Sequence, residues 1–445
     1  MKKKYVRWTL WTIASPFILF IILCILIYLP PIQNFLVDKA AVYASEATGM
    51  NISVGRISLS FPLNLVVTNV DAASPHNDTL LSVRRLQVNV QLLPLLKKQV
   101  EVDGISLQGA TVNSNDLIHG MKLNGTLGEL FISSHGVALD PETAIVNKVL
   151  LKDTDLSLCL NDTAAADTAA SDPTYWKIIL QDIDLQNVSF ALDMPLDSLS
   201  LAASLDNATL RDGLIDLHKS AYSLQTFRIK NGRVRYDSGR PSATASADSL
   251  SAGLDPSHIA LTDIGVKLDS LYYEGRNMKA VISQFVLKER SGVEIVSTEG
   301  RLVSNDKVLR VPSLKLETRD SYLELNAAMD WNALDFKDEG LVSARLMADI
   351  GKPDVVRFMG SMDEKFIRQY PSEPLRIRTG IDGDLNKLKL TTLTAELPGA
   401  LGLFARGELT HLTDSLLRGG DITLEAETKD LKFVSCLLYT SDAAD

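Results

Sequence analysis

The sequence predicts a mainly β protein, with an N-terminal transmembrane helix followed by an elongated, curled antiparallel repeat β-sheet that forms a groove and carries few short helices. Three observations predict this fold class. An uncharged apolar stretch lies near the N-terminus, polar and apolar residues alternate over most of the chain, and one strand pattern recurs. With 445 residues, 46% of them hydrophobic and 22% charged, the composition excludes a wholly disordered chain.

The apolar stretch at residues 8–29 predicts a membrane-spanning helix. No charged residue lies between Arg7 and Asp38, and a helix of this length crosses a hydrocarbon core of about 30 Å. A cleaved signal peptide is the alternative, but its apolar region is about 7–15 residues long and ends at a small-residue cleavage site. The predicted anchor side chains are Trp8, Trp11, Phe17, Phe20 and Tyr28. The sequence therefore predicts an uncleaved single-pass anchor.

The basic tail at residues 1–7 predicts the orientation of this anchor. Its charges are Lys2, Lys3, Lys4 and Arg7. Positive residues beside a membrane span favour the cytoplasmic side, so the N-terminus is expected in the cytoplasm and the bulk of the chain outside it. Pro30 and Pro31 end the spanning helix, and apolar residues at three- and four-residue spacing predict an amphipathic helix at 32–48 with Gly49 as its C-cap.

From residue 50 the period of the pattern changes from 3.6 to 2, which predicts a repeat β-groove over 50–433. Residues 105–112, 183–190 and 227–236 share the order apolar-x-apolar-x-Gly/Asn followed by further apolar residues, and stacked units of this kind favour one elongated sheet. The predicted apolar face, a candidate lipid-binding surface, comprises Leu86, Val88, Val90, Leu92, Ile105, Leu107, Ile183, Leu185, Phe190, Phe227, Ile229, Leu314, Leu316, Leu323 and Leu325. Turns are predicted at Asn231-Gly232, Asp382-Gly383 and Gly292.

Two segments depart from the β pattern. Apolar residues at helical spacing between Pro353 and Pro371 predict an amphipathic helix over 354–370. Packing on the sheet is the preferred interpretation, and a plug or lid over an apolar groove is the alternative. Residues 434–445 match no earlier unit and are interpreted as a non-native-looking tail, so the chain is expected to be the N-terminal fragment of a longer protein.

Catalytic and metal-binding patterns are missing from the sequence. The net charge of −10 offers no basic surface for nucleic acid. The six histidines follow no ligand spacing, and neither a phosphate-binding loop nor a nucleophile motif occurs. Cys159 is the one thiol of the main body, so a cysteine-based zinc site is not expected. We therefore predict a protein that is not an enzyme, without catalytic residues, metal ligands or cofactors, and without nucleic-acid partners.

A family resemblance rests on ordered short motifs over about residues 5–115. The motifs follow the predicted anchor and short helix, and lie at 48–59, 61–70, 78–83 and 88–96. In their order and spacing they resemble the N-terminal region of the AsmA-like/TamB family, the inner-membrane subunits of translocation and assembly modules. Beyond these residues the resemblance extends only to the β patterning.

The resemblance implies a protein of cell-envelope biogenesis in bacteria with two membranes. Such proteins are anchored in the inner membrane and extend a β-groove through the periplasm. They take part in phospholipid transport toward the outer membrane, binding acyl chains, and in outer-membrane assembly with a barrel partner of the TamA type. The alternative that the residues leave open is an anchored extracytoplasmic β-solenoid, filled by its own side chains, which serves as a scaffold or adhesin without lipid transport.

Overall fold

The computed structural model describes most of the predicted β region. The described residues are 39, 41–42, 45–46, 49–60, 64–74, 79–91, 102–114, 120–138, 142–161, 175–239, 253–337, 340–358, 364–430 and 432–433. The predicted basic tail, the predicted spanning helix at 8–29 and the tail at 434–445 lie outside these residues and stay predictions. Within the described ranges, no helix has the length and apolar character needed to cross a bilayer.

The described residues form a 20-stranded antiparallel sheet with three short helices between strands, which confirms the predicted mainly β class. The chain divides into two compact units, 1–167 with 184–192, and 168–183 with 193–445. The strands of the first unit are β1 (Asn51–Ser60), β2 (Asn64–Ala73), β3 (Thr79–Val90), β4 (Val102–Asn113), β5 (Met121–Ala138) and β6 (Thr143–Leu160). From β1 to β6, each strand pairs with its successor along the chain. Residues of β7 (Lys177–Met194) belong to both units.

The second unit continues the same up-and-down order. Its strands are β8 (Leu199–Asp216), β9 (Ala221–Leu224), β10 (Thr226–Ser238), β11 (His258–Glu274), β12 (Asn277–Glu289), β13 (Glu294–Ser304), β14 (Val308–Thr318), β15 (Tyr322–Asp330), β16 (Leu341–Ile350), β17 (Leu375–Asp384), β18 (Lys387–Leu397), β19 (Leu401–Thr410) and β20 (Gly419–Thr428). Strands β9 and β10 follow one another between β8 and β11. From β10 to β20 each strand pairs with its successor.

The three helices between strands are short and lie in the second unit. They are α1 (Trp331–Leu334), α2 (Lys352–Phe358) and α3 (Glu364–Gln369). The predicted helix over 354–370 thus corresponds to two described helices, with residues 359–363 outside the described ranges.

Part of the predicted helix at 32–48 is described. Residues 39, 41–42 and 45–46 are helical. Gly49 has a φ of +71° and its N–H donates to the Ser45 carbonyl at 2.9 Å, the geometry of a glycine that ends a helix. The predicted C-cap is confirmed, and the undescribed part of the helix stays a prediction.

Two of the three predicted turns are wrong. Asn231 and Gly232 lie inside β10, where the register with β11 shifts, and Asp382-Gly383 lies within β17, before the turn at 385–386. Residues that tolerate positive φ serve bulges as well as turns, so the dipeptide alone does not separate the two. Gly292, with a φ of +95°, lies in the turn between β12 and β13 as predicted.

Candidate functional site

Apolar residues of the first unit form four rows that run across its strands, which we call the apolar ladders. Residues paired across antiparallel strands share a face of the sheet and bring their side chains together. The ladders are Leu59–Leu65–Val88–Ile105–Ile132–Val149, Ile57–Val67–Leu86–Leu107–Leu130–Leu151, Val54–Val70–Val83–Ala110–Leu127–Thr154 and Ile52–Ala72–Leu81–Val112–Gly125–Leu156. The sheet register therefore aligns the predicted residues Leu86 with Leu107 and Val88 with Ile105.

Apart from the mixed row Ser58–Val66–Gln87–Ser106–Phe131–Leu150, the rows between these ladders carry polar side chains. Two of them are Arg56–Thr68–Arg85–Gln108–Glu129–Lys152 and Ser53–Asp71–Ser82–Thr111–Thr126–Asp155. Side-chain hydrogen bonds link them, as where Ser82 Oγ donates to Asp71 Oδ1 at 2.6 Å. The first unit thus has an apolar face and a polar face.

A row of interrupted pairing separates the two pairs of ladders, and we call it the break row. It consists of Gly55, Asn69, Arg84, Gly109, Gly128 and Asp153, which lie between regularly paired residues. Asn69, Gly109 and Asp153, on every second strand, have φ values of +53°, +62° and +49°. The register of strand pairing is the same on both sides of the break row. Within one strand, the nearest apolar ladder residues on the two sides of the row are three residues apart. In a regular strand, side chains alternate between the two faces, so two residues three apart lie on opposite faces. The irregular backbone of the break row shifts this alternation by one residue, so the apolar positions on its two sides lie on the same face.

The break explains the internal repeat of the sequence. Gly109, Asn187 and Asn231 occupy the Gly/Asn position of the three predicted units, and all three have positive φ. The same position holds an aspartate with positive φ in three other strands, at Asp153, Asp212 and Asp263. The sequence repeat, which has glycine or asparagine at this position, does not include these aspartates. Aspartate tolerates this conformation for the same reason as asparagine, since its short polar side chain can hydrogen-bond locally.

The second unit has comparable ladders. Two of them are Thr298–Leu316–Leu323–Ala348–Ile377–Ala395–Leu403–Ala426 and Gly300–Leu314–Leu325–Leu346–Thr379–Leu393–Ala405–Leu424. They contain the predicted residues Leu314, Leu316, Leu323 and Leu325. Phe227 and Ile229 of β10 also lie in apolar rows, opposite Leu210 and Ala208 of β8.

For the other residues of the predicted apolar face, the structure gives one pairing partner or the burial alone. Val90 pairs with Val102. In β7, Ile183 and Leu185 are half-buried, and Phe190 is 38% exposed. Leu92 and the predicted anchor and topology residues lie outside the described residues, so their roles stay predictions.

The apolar ladders of the first unit remain partly open to solvent. Most of their side chains are half-buried, and Leu81 and Ile105 are 37% and 36% exposed, whereas a filled core buries its aliphatic side chains almost completely. The buried members are Ala72, Val83, Ala110 and Thr154, and the last three lie beside the break row. In the described part of this unit the extensive contacts join neighbouring strands. The face is therefore partly open to solvent along the described strands.

A different arrangement is found at one end of the second unit, where α3 packs on the sheet. Leu397 pairs with Leu401 and follows Ala395 of the ladder by two residues, so it shares the apolar face. Phe366 and Tyr370 pack against Leu397, and these three side chains are between 2% and 6% exposed. The rings of Phe366 and Tyr370 are 5.6 Å apart. Burial raises the pKa of the Tyr370 hydroxyl. This end of the face is closed, in keeping with the interpretation of a helix packed on the sheet.

Helix α2 is held at the same strand ends by a buried ionic network. The Asp354 carboxylate, fully buried, accepts hydrogen bonds from Ser321 Oγ at 2.6 Å, from Arg357 Nη1 at 2.9 Å and from Thr318 Oγ1. Burial alone would raise the pKa of Asp354, but the hydrogen bonds from Ser321, Thr318 and Arg357 outweigh it and hold the pKa below its ordinary value. Arg357 also donates to Asp320 at 2.8 Å. The network ties α2 to the β14–β15 turn.

Comparison with known proteins adds no family to this geometry. No protein-family model matches the chain, and no curated protein matches it. The AsmA-like/TamB resemblance therefore stays a prediction from the motifs at residues 48–96.

Proposed function

We propose that this chain binds phospholipid acyl chains along the apolar ladders and conducts them toward the outer membrane from an anchor in the inner membrane. The observation that carries the proposal is the apolar face of the first unit, which is aligned over six strands and is partly open to solvent. Each methylene group that such a face removes from water contributes about 0.8 kcal/mol. Because the ladders repeat from strand to strand, neighbouring positions offer an acyl chain similar surroundings.

The proposal fits the AsmA-like/TamB resemblance. In that setting the chain lies in the periplasm with its N-terminus in the cytoplasm, and it serves outer-membrane assembly together with a barrel partner of the TamA type. The anchor at 8–29 would supply lipid from the inner membrane to the start of the sheet. These assignments rest on the motifs and on the open apolar face together.

Site-specific photo-crosslinking in cells that express the full chain tests the proposal. A photoreactive residue replaces Val88 or Leu316 on the ladders, and the matched controls are Gln87 and Lys315, their neighbours on the polar face. We expect phospholipid adducts at the two ladder positions and none at the controls. Equal labelling at ladder and control positions, or no lipid at any position, would contradict lipid binding by this face.

A second candidate function is a scaffold that presents a strand edge to client barrel proteins. It rests on β20, in which every residue is exposed and which pairs with β19 alone among the described strands. An unpaired edge can add a further strand through its main-chain hydrogen bonds. The same crosslinker placed at Thr423 in β20 would then capture polypeptide, while Val88 and Leu316 would capture no lipid.

A further inference from the structure

A basic depression lies on the polar face of the first unit, where β1, β2 and β3 meet. Its volume is about 480 Å³, and its lining includes Arg56, Arg85, Thr68, Ser58 and Asn69. Thr68 pairs with Arg56 on one side and with Arg85 on the other, so the two arginines flank one hydroxyl residue. Strands in a sheet lie about 4.8 Å apart, which places the two backbones about 10 Å from each other and both guanidinium groups within reach of one small anion.

The arginines of this depression lack acidic partners. Neither Arg56 nor Arg85 forms an ion pair with any described residue, and the one side-chain hydrogen bond of Arg85 goes to the neutral Gln87 Oε1 at 3.3 Å. Glu129 stands in the same row but two strands beyond Arg85. Asp71 lies across the break row and accepts a hydrogen bond from Ser82.

A second depression, in the other unit, has a lining of different charge. It has a volume of about 380 Å³ and is lined in part by Arg301, Lys315 and Glu299. Glu299 lies opposite Lys315 in the register of β13 and β14, so the lining of this depression includes an acidic residue. The two depressions have similar sizes and each has two basic residues, but one alone lacks an acid.

We propose that the depression between Arg56 and Arg85 binds a phosphate group. Guanidinium groups recognise phosphate oxygens through paired N–H donors, and the Ser58 hydroxyl adds a neutral donor. The Thr68 hydroxyl donates to the Arg56 carbonyl at 3.5 Å. The phosphate belongs either to an anionic phospholipid headgroup or to a free phosphate ion. The predicted anchor ends at residue 29 and β1 begins at Asn51, so the sequence places this depression near a membrane surface. The site is on the polar face and does not depend on acyl-chain binding by the ladders.

Isothermal titration of the purified full chain in an uncharged detergent tests the proposal. The probes are inorganic phosphate, dihexanoyl phosphatidylglycerol, and dihexanoylglycerol, which has the acyl chains without the phosphate. We expect a phosphate-containing probe to bind, with an affinity that falls as NaCl is added. Binding of inorganic phosphate identifies free phosphate as a sufficient ligand, whereas binding of the phospholipid without inorganic phosphate identifies the headgroup. Both results support the site.

Variants assign the binding to the two arginines. The double variant Arg56→Gln/Arg85→Gln should lose at least about tenfold in affinity, because each 1.4 kcal/mol corresponds to a factor of ten. Arg56→Lys/Arg85→Lys, which keeps the charge, should lose less. The matched control Arg301→Gln/Lys315→Gln should bind as the unaltered chain does. The proposal is overturned if neither phosphate-containing probe binds, if the arginine variant binds normally, or if the control loses as much.

Discussion

Two stretches of apolar sheet face in this protein differ in what covers them. In the first unit, the apolar ladders cross six strands, and Leu81 and Ile105 are more than a third exposed. At one end of the second unit, the face is closed by α3, and Phe366 and Leu397 are almost fully buried. Both stretches have the same alternating pattern, so the difference comes from the helix that one of them carries.

Whether an apolar face of this sheet is open depends on the elements that pack on it. The residue types of the strands do not decide it. Leucine and valine on a sheet normally face a second layer, because burial of apolar surface stabilises the fold. At the closed end, α3 covers the face through aromatic packing. A buried ionic network ties α2 to the β14–β15 turn. Where strands alone are described, the apolar side chains stay partly exposed to solvent.

The largest effect is expected from opening the closed end. Phe366→Ala removes a 2% exposed ring from the cluster with Tyr370 and Leu397, and should lower the free energy of local unfolding there by about 3–5 kcal/mol. Hydrogen exchange of the amides of α3 and of the β18–β19 turn, read by mass spectrometry, measures this loss. The control is Phe336→Ala, since Phe336 is 80% exposed and should change protection little. Equal effects of the two substitutions would show that α3 does not close this end.

A smaller effect is expected from the ionic network under α2. Asp354→Asn removes the carboxylate that Arg357, Ser321 and Thr318 bind, and should lower the stability of the docked helix by about 2–3 kcal/mol. Hydrogen exchange of α2 amides reports the change. The control is Glu396→Gln, because the Glu396 carboxylate lies 3.8 Å from Arg376 at the surface, where such pairs contribute about 0–1 kcal/mol.

The pH dependence of α2 protection tests whether the Asp354 carboxylate stabilises this helix. The pKa of Asp354 is lowered on folding from its ordinary value of 3.8, so the carboxylate stabilises the helix fully above that value. This contribution is lost as the pH falls through the lower folded pKa. Protection of α2 should therefore be constant from neutral pH to about pH 5 and decline below about pH 4. If Asp354→Asn declined in the same way, another group would be responsible.

Much of this fold could be predicted from the alternation of residues. The strands that contain Val88, Leu107, Leu316 and Leu323 were predicted because a one-sided sheet requires a period of two. The pairing of these residues into ladders could not be predicted, because strand register depends on the break row and on turn lengths along the whole chain.

The basic depression was missed for a related reason. Arg56 and Arg85 are far apart in the sequence and are adjacent to Thr68 only through the register of β1, β2 and β3. The turns placed at Asn231 and Asp382 were wrong because the positive-φ chemistry that marks a turn also marks the interruption of a strand. Alternation over a whole segment predicts a strand correctly here, whereas a single turn-forming dipeptide does not predict a turn.

The smallest effect, and the sharpest test of the open face, concerns the break row. Gly109 has a φ of +62°, and a Cβ there would lie 3.1 Å from Arg84 Nε, so Gly109→Ala should destabilise β4 by about 1 kcal/mol. The matched control is Gly402→Ala in β19, where a Cβ would meet nothing closer than 4.0 Å and φ is ordinary. Hydrogen exchange of β3, β4 and β5 measures the loss.

If the break row keeps the ladders on one face, Gly109→Ala should also reduce lipid crosslinking at Val88, while unchanged crosslinking would show that the apolar face does not depend on the break.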